Sequence, residues 1–228
     1  VKTRRVSNVS RRSRDRDAVL KARILESARV LFLSRGFVHV TADDLAGDLG
    51  ISKATLYQAF PSKADILREV VRGVLGETDA GVREIIGDDS RGFVEKMVAL
   101  FSFLGARVSE FGPVFVRDLQ KSAPGIWKEI DDFRRGRILT RFEAILVAGR
   151  REGIFREDVE PHILLEMFLG LVREFINPAA ILRSGRTASE AFESIIKVFF
   201  QGILTEKGRR DFARKTTGLF APLKEIAS

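Results

Sequence analysis

Ala54 and Gln58 lie four residues apart, with Lys53, Thr55 and Tyr57 around them and Lys63 five residues beyond. A glutamine amide donates and accepts at once, which suits the N6/N7 edge of adenine, and an alanine is small enough to meet a thymine methyl. Lysines, a threonine and a tyrosine at the margins of such a pair offer donors and positive charge to phosphate oxygens, which fix register without reading sequence. The chemistry these types imply is recognition of a nucleic-acid groove, not bond making.

Such side chains work only if an element aims them. At about 100° per residue, Leu56 and Phe60 mark the buried face of a short helix and leave Ala54 and Gln58 pointing outward. Ser52 caps that helix, Gly50 supplies the turn before it, and Thr41 with Asp44 opens a preceding helix in the manner of a capping box. Pro61 cannot continue the second helix, and Ser62 with Asp65 repeats the capping spacing for a third. Two short helices joined by a glycine turn form a helix-turn-helix, which lays its second helix in the major groove of DNA. Thr41, at a helix N-terminus, is positioned for a further phosphate. The candidate DNA contacts are thus Thr41, Ser52, Lys53, Ala54, Thr55, Tyr57, Gln58 and Lys63. The plain alternative is a small capped helical subdomain with a solvated polar face.

Residues 20–67 resemble the TetR family of bacterial transcriptional regulators. The likeness runs through Ile24-Leu25-Glu26-Ser27-Ala28, Leu31-Phe32, Arg35-Gly36-Phe37, Thr41, Leu45-Ala46, Gly50-Ile51-Ser52-Lys53, Thr55-Leu56-Tyr57, Phe60-Pro61-Ser62-Lys63 and Leu67. The resemblance implies phosphate contacts at Thr41, Tyr57 and Lys63, with Lys53 a frequent one. Ala54, Gln58 and Ala59 depart from the common pattern, so the operator of a relative does not transfer.

Charge agrees with this placement. Residues 1–63 carry 13 of the 39 basic residues but 6 of the 31 acidic ones, which is +7 of the net +8. Attraction to a polyanion is thereby concentrated at the N-terminal end. Within residues 1–17, Lys2, Arg4, Arg5, Arg11, Arg12, Arg14 and Arg16 lie among polar residues, a composition that predicts a disordered basic arm, either reaching a minor groove or simply solvated. No apolar stretch follows it as in a signal peptide, and no apolar run approaches the ~18 residues of a membrane span. A cytoplasmic protein with no membrane partner is expected.

Cysteine is absent, which excludes disulfides and thiolate chemistry, and the two histidines, His39 and His162, have no triad-like company. Neighbouring carboxylates such as Asp43-Asp44, Asp88-Asp89 and Asp131-Asp132 diverge by about 100° on a helix and read as solvated faces. Neither an enzyme nor a cofactor is expected.

Beyond Leu67 apolar residues keep recurring at three and four, which predicts an all-α chain of nine or ten helices. The expected division is a disordered basic arm over 1–17, a three-helix helix-turn-helix head over 18–67, and a larger helical ligand-binding and dimerisation domain over 68–228. Its helices are expected from Ser62 to about Ile86, over roughly 91–109, in a short segment after Gly112-Pro113, over about 126–151, from Pro161 to Asn177, and from Thr187 to about Lys207. Fifteen of the eighteen phenylalanines and the single Trp127 fall after residue 90.

Resemblance to the family implies a homodimer on a palindromic DNA operator, most often as a repressor, and a pocket for a small-molecule effector. Gly149 to Val159 resembles the connection before the family's penultimate helices, and Phe200-Gln201-Gly202-Ile203-Leu204 resembles its closing helix. In relatives two long helices of each subunit form the dimer interface, here the helices at about 126–151 and 159–177, whose apolar residues otherwise fill the domain's own core. Carried over, they implicate Phe142, Ile145, Leu146, Leu165, Leu169 and Val172 as interface residues. For an apolar or aromatic effector the candidates are Phe101, Leu104, Phe111, Phe115, Trp127, Phe133 and Phe168, with Arg107, Arg117 or Arg173 as polar anchors. The rival reading keeps the DNA binding and drops the effector, leaving an architectural or constitutive regulator.

Overall fold

The computed structural model describes residues 2–215, and among them the chain forms twelve α-helices and one π-helical turn. The head comprises α1 (Lys2–Arg35), α2 (Ala42–Leu49) and α3 (Lys53–Ala59), followed by α4 (Lys63–Gly87). The boundaries have the local causes expected of them. Thr41 accepts from the Asp44 amide while Asp44 accepts from the Thr41 amide, and Gly50 closes α2 at φ 64°. Ser52 and Ser62 cap α3 and α4 by accepting from Thr55 and Asp65 amides.

The N-terminal backbone differs from the expected arm. The backbone expected to be a disordered arm is helical from Lys2 onward, continuous with the packed part of α1. Neither proline nor glycine precedes Gly36, and arginine and lysine are good helix formers, so nothing in the sequence stops the helix. Residue 1, the side chains of residues 1–13 and the C-terminal 216–228 lie outside the described residues.

The remainder runs α5 (Phe93–Ser109), α6 (Pro113–Ser122), α7 (Pro124–Phe133), the π turn Arg134–Ile138, α8 (Leu139–Arg151), α9 (Pro161–Phe175), α10 (Pro178–Ser184), α11 (Ala188–Ile203) and α12 (Glu206–Lys215). The helix expected over 126–151 is thus continued through a π turn. Asn177-Pro178, read as a stop, also starts α10, because Asn177 caps it and proline suits a first helical turn. Helix α11, expected to reach about Lys207, ends early at Ile203, since the next residues pair with another segment: the Thr205 amide donates to the Ile154 carbonyl and Leu204 bridges Phe155.

Two apolar clusters result. One joins Phe32, Leu45, Leu56 and Leu67 of the head to Phe115, Leu119 and Ile130 of α6 and α7. The other packs Phe101, Phe142, Phe155, Phe200 and Phe212, with Phe101 edge-on to Phe200 at 4.6 Å. Helix α4 enters both clusters, with Leu67 in the first and Val82 in the second.

Candidate functional site

Helix α3 buries Leu56 completely and Phe60 nearly so, while Ser52, Lys53, Ala54, Tyr57 and Gln58 are exposed and Thr55 is half-buried. The outward set is therefore one contiguous face, with exposed Thr41 at the start of α2. Several of these groups already have partners. Thr41 donates through its hydroxyl to Asp44 Oδ2 at 2.7 Å, and these bonds hold the Asp44 carboxyl below its usual range. Lys53 Nζ lies 3.0 Å from Asp43 Oδ2, an exposed pairing that raises its pKa and that a phosphate would replace at little cost. Ser52 and Thr55 hydroxyls are 2.8 Å apart.

Lys63 behaves differently from the free phosphate ligand that its position suggests. Its Nζ donates to the carbonyls of Phe37 at 2.9 Å and Val40 at 2.8 Å and sits 4.4 Å from the centre of the Phe37 ring. Burial pushes its pKa below the usual lysine value. Two of its three donors hold the loop between α1 and α2, which presents Thr41. Lys63→Ala is thus expected to destabilise the head by about 1–3 kcal/mol, seen as a lower melting temperature. An unchanged melting temperature with uniformly weaker DNA binding would return Lys63 to a phosphate role.

The same loop is also held by a residue that sequence reasoning missed. Asp118 of α6 is buried and accepts from the Val38 amide at 2.9 Å, tying the helix that bears Val116 and Leu119 to the head. Its signal was available: a carboxylate three after Phe115 and one before Leu119 lies on the apolar stripe of α6. Lys21, whose ammonium lies 5.7 Å from the Phe60 ring centre, was also overlooked.

A cavity of about 500 Å³ lies between the two clusters, walled by α4, α5, α6, α7, α9 and α11. Of the expected effector residues, Leu104, Phe111, Trp127, Phe133 and Phe168 line it. Phe101 and Phe115 do not: Phe101 is sealed against Phe200 and Phe115 stacks on Phe111 at 5.9 Å. Among the three proposed anchors, Arg107 lines the cavity, whereas Arg117 lies beside Asp118 and Arg173 points to solvent.

None of the expected interface residues faces outward. Phe142, Ile145, Leu146 and Leu165 fill the chain's own core, and Leu169 and Val172 line the cavity. Helical periodicity marks these positions as apolar but not which neighbour they meet. Among the described residues of α8, α9 and α11 the exposed large apolar side chains are Val147, Ile163, Met167, Phe175 and Val198, of which Ile163 and Met167 share one face of α9. No single helix among the described residues is long and apolar enough to cross a membrane, and none of their His, Asp or Glu side chains gather in threes to hold a metal ion.

Residues 24–70 match the family model described as bacterial regulatory proteins, tetR family. The chain is 26% identical over 185 residues to the uncharacterized HTH-type transcriptional regulator YvaF of Bacillus subtilis, covering 81% of this chain and 96% of that one. It is 30% identical over 148 residues to the HTH-type transcriptional repressor KstR2 of Rhodococcus jostii, covering 61% and 70% of the two chains. Its fold superposes with a TM-score of 0.67 on a TetR-family transcriptional regulator from Marinobacter aquaeolei, at 19% identity over 91% of this chain and 98% of that one.

Proposed function

This chain belongs to the TetR family of helix-turn-helix transcriptional regulators, DNA-binding proteins and not enzymes, and we propose that it is a homodimeric repressor released from a palindromic operator by a small ligand. The cavity carries this reading. It is large enough for a small apolar molecule, and its walls are the helices that also pack under the head: Val71 and Val74 come from α4, and Leu119 of α6 belongs to the same cluster as Leu56 of α3. An architectural regulator has no use for such a space. In this reading residues 18–67 read DNA and the rest of the chain binds ligand and dimerises. The similarity to a relative named as a repressor supports the sign of regulation.

Release is a population shift. A ligand that fits the cavity better in one arrangement of α4 and α6 favours that arrangement, and a changed spacing between the two heads of a dimer no longer matches successive major grooves. Operator affinity then falls by the ligand's differential affinity for the two states.

We assign sequence reading to Ala54 and Gln58, and backbone contacts to Thr41, Ser52, Lys53, Thr55 and Tyr57. Gln58→Ala is expected to relax preference at one base pair of each half-site and to cost about 1–3 kcal/mol on the best site, with little change on random DNA. Titrating the variant against a selected site and its single-base mutants tests this. Equal losses on specific and random DNA would remove Gln58 from base reading.

A further inference from the structure

The two charged side chains lining the cavity, Arg107 and Arg186, are both cationic. The neutral polar groups along the wall near Arg107 are engaged within their own helices: Thr78 donates to the Val74 carbonyl and Ser109 to that of Gly105. Arg107 is the charged group at this end, and so the strongest anchor for a ligand of opposite charge.

Arg107 is also part of a ring of four charges. Its Nη1 donates to Glu110 Oε1 at 2.8 Å and lies 3.3 Å from Glu77 Oε2. The same two carboxylates bind Arg29: its Nη1 meets Glu77 Oε1 at 2.8 Å and its Nη2 meets Glu110 Oε2 at 3.1 Å. Arg29 lies on α1, one residue after Ala28 of the head core, Glu77 lies on α4, Arg107 lies on α5 and Glu110 caps the C-terminal end of α5. Each carboxylate bridges both guanidiniums, so the ring ties the first helix of the head to a wall of the cavity with no net charge.

We propose that the cavity takes an amphiphilic carboxylate, and that its head group engages Arg107 and so loosens the hold of Glu77 and Glu110 that links α1 to α5. This rests on the effector reading above and adds the ligand's chemical class and the route to the head. A third carboxylate shared between two arginines weakens the original pairs, because a guanidinium's donors are finite and its best carboxylate geometry is bidentate. A cationic ligand finds no counter-charge in the cavity, and a neutral one leaves the ring intact.

Three probes with one apolar body test the first half: decanoate, decanol and decyltrimethylammonium, each titrated below its aggregation concentration into the full chain while Trp127 emission and the melting temperature are followed. Decanoate is expected to bind about tenfold or more tightly than the other two. That preference is expected to vanish in Arg107→Gln and to persist in Arg186→Gln, with all proteins melting cooperatively. Equal binding of the three, a preference for the cation, or a preference lost only in Arg186→Gln overturns the proposal. If no probe changes either signal, the effector reading itself falls, a distinct result. The second half is read with operator DNA selected from a random pool: decanoate is expected to release it from the wild-type chain and to release it markedly less from Arg29→Gln, which still binds the probe. Equal release from both overturns the link through the ring.

Discussion

Replacing Met167 and Val198 together by glutamate is expected to yield a folded monomer that binds its operator at least about a thousandfold more weakly, since specific binding exceeds non-specific binding by that order or more. Both side chains are more than half exposed, at 55% and 67%, and they sit on helices that pack against each other. Ile163, four residues before Met167, extends the same apolar face. Near it Gly170 and Gly202 have open space where a side chain would stand, so another helix can approach closely. In a twofold dimer each new carboxylate meets its own copy as well as the other substitution, and like charges in an interface core cost several kcal/mol. Because neither residue supports the protomer's own core, the melting behaviour of the fold should change by only about 0.5 kcal/mol apart from any dimer contribution. Light scattering after size exclusion, followed by DNA titration, checks this. A dimer that survives both charges would place the interface elsewhere.

Gly36→Ala is expected to have the largest effect on stability of any single methyl added to the head. Gly36 has φ 86°, a left-handed conformation that costs an alanine about 1–2 kcal/mol. Its Cβ would also stand 2.7 Å from Asp118 Oδ2 and 2.7 Å from Val114 Cγ1. Asp118 cannot retreat without losing the Val38 amide, and overpacking of this kind costs about 1–3 kcal/mol more. The total, roughly 2–5 kcal/mol, corresponds to a melting temperature lower by about 4–20 °C in a chain of this size. Gly50→Ala is the control. Gly50 is also left-handed, at φ 64°, but nothing lies within 4 Å of its Cβ position. It should show the backbone cost alone, so the difference between the two variants isolates the contact between α6 and the head. Equal destabilisation of both would deny Asp118 that role.

The capped boundaries were legible because each depends on residues three or four apart: Thr41 with Asp44, Ser52 with Thr55, Ser62 with Asp65, and Gly50 alone. The outward face of α3 was legible for the same reason, since one turn of helix fixes which side Leu56 and Phe60 take. The intrachain bonds of Lys63 were not legible, because its partners, the carbonyls of Phe37 and Val40, lie 26 and 23 residues back and leave no local signature. The apolar residues of α8 and α9 were recognised as apolar, but periodicity cannot say whether Phe142 meets Phe168 of the same chain, as it does at 4.9 Å, or a second subunit. The early end of α11 follows from the pairing of Leu204 and Thr205 with Phe155 and Ile154, contacts made across about fifty residues. Five of the seven residues expected to meet an effector line the cavity, because aromatic residues concentrate in the domain that contains it. Phe101 and Phe115 share that composition and fill cores instead.

Selection of binding sequences from a random DNA pool, with purified protein at fixed, near-physiological salt, tests sequence-specific recognition by a dimer most directly, because electrostatic attraction alone enriches nothing under those conditions. An enriched inverted repeat, with half-sites about one helical turn or a multiple of it apart, is the expected result. Retention that is salt-sensitive but yields no repeated motif would contradict it.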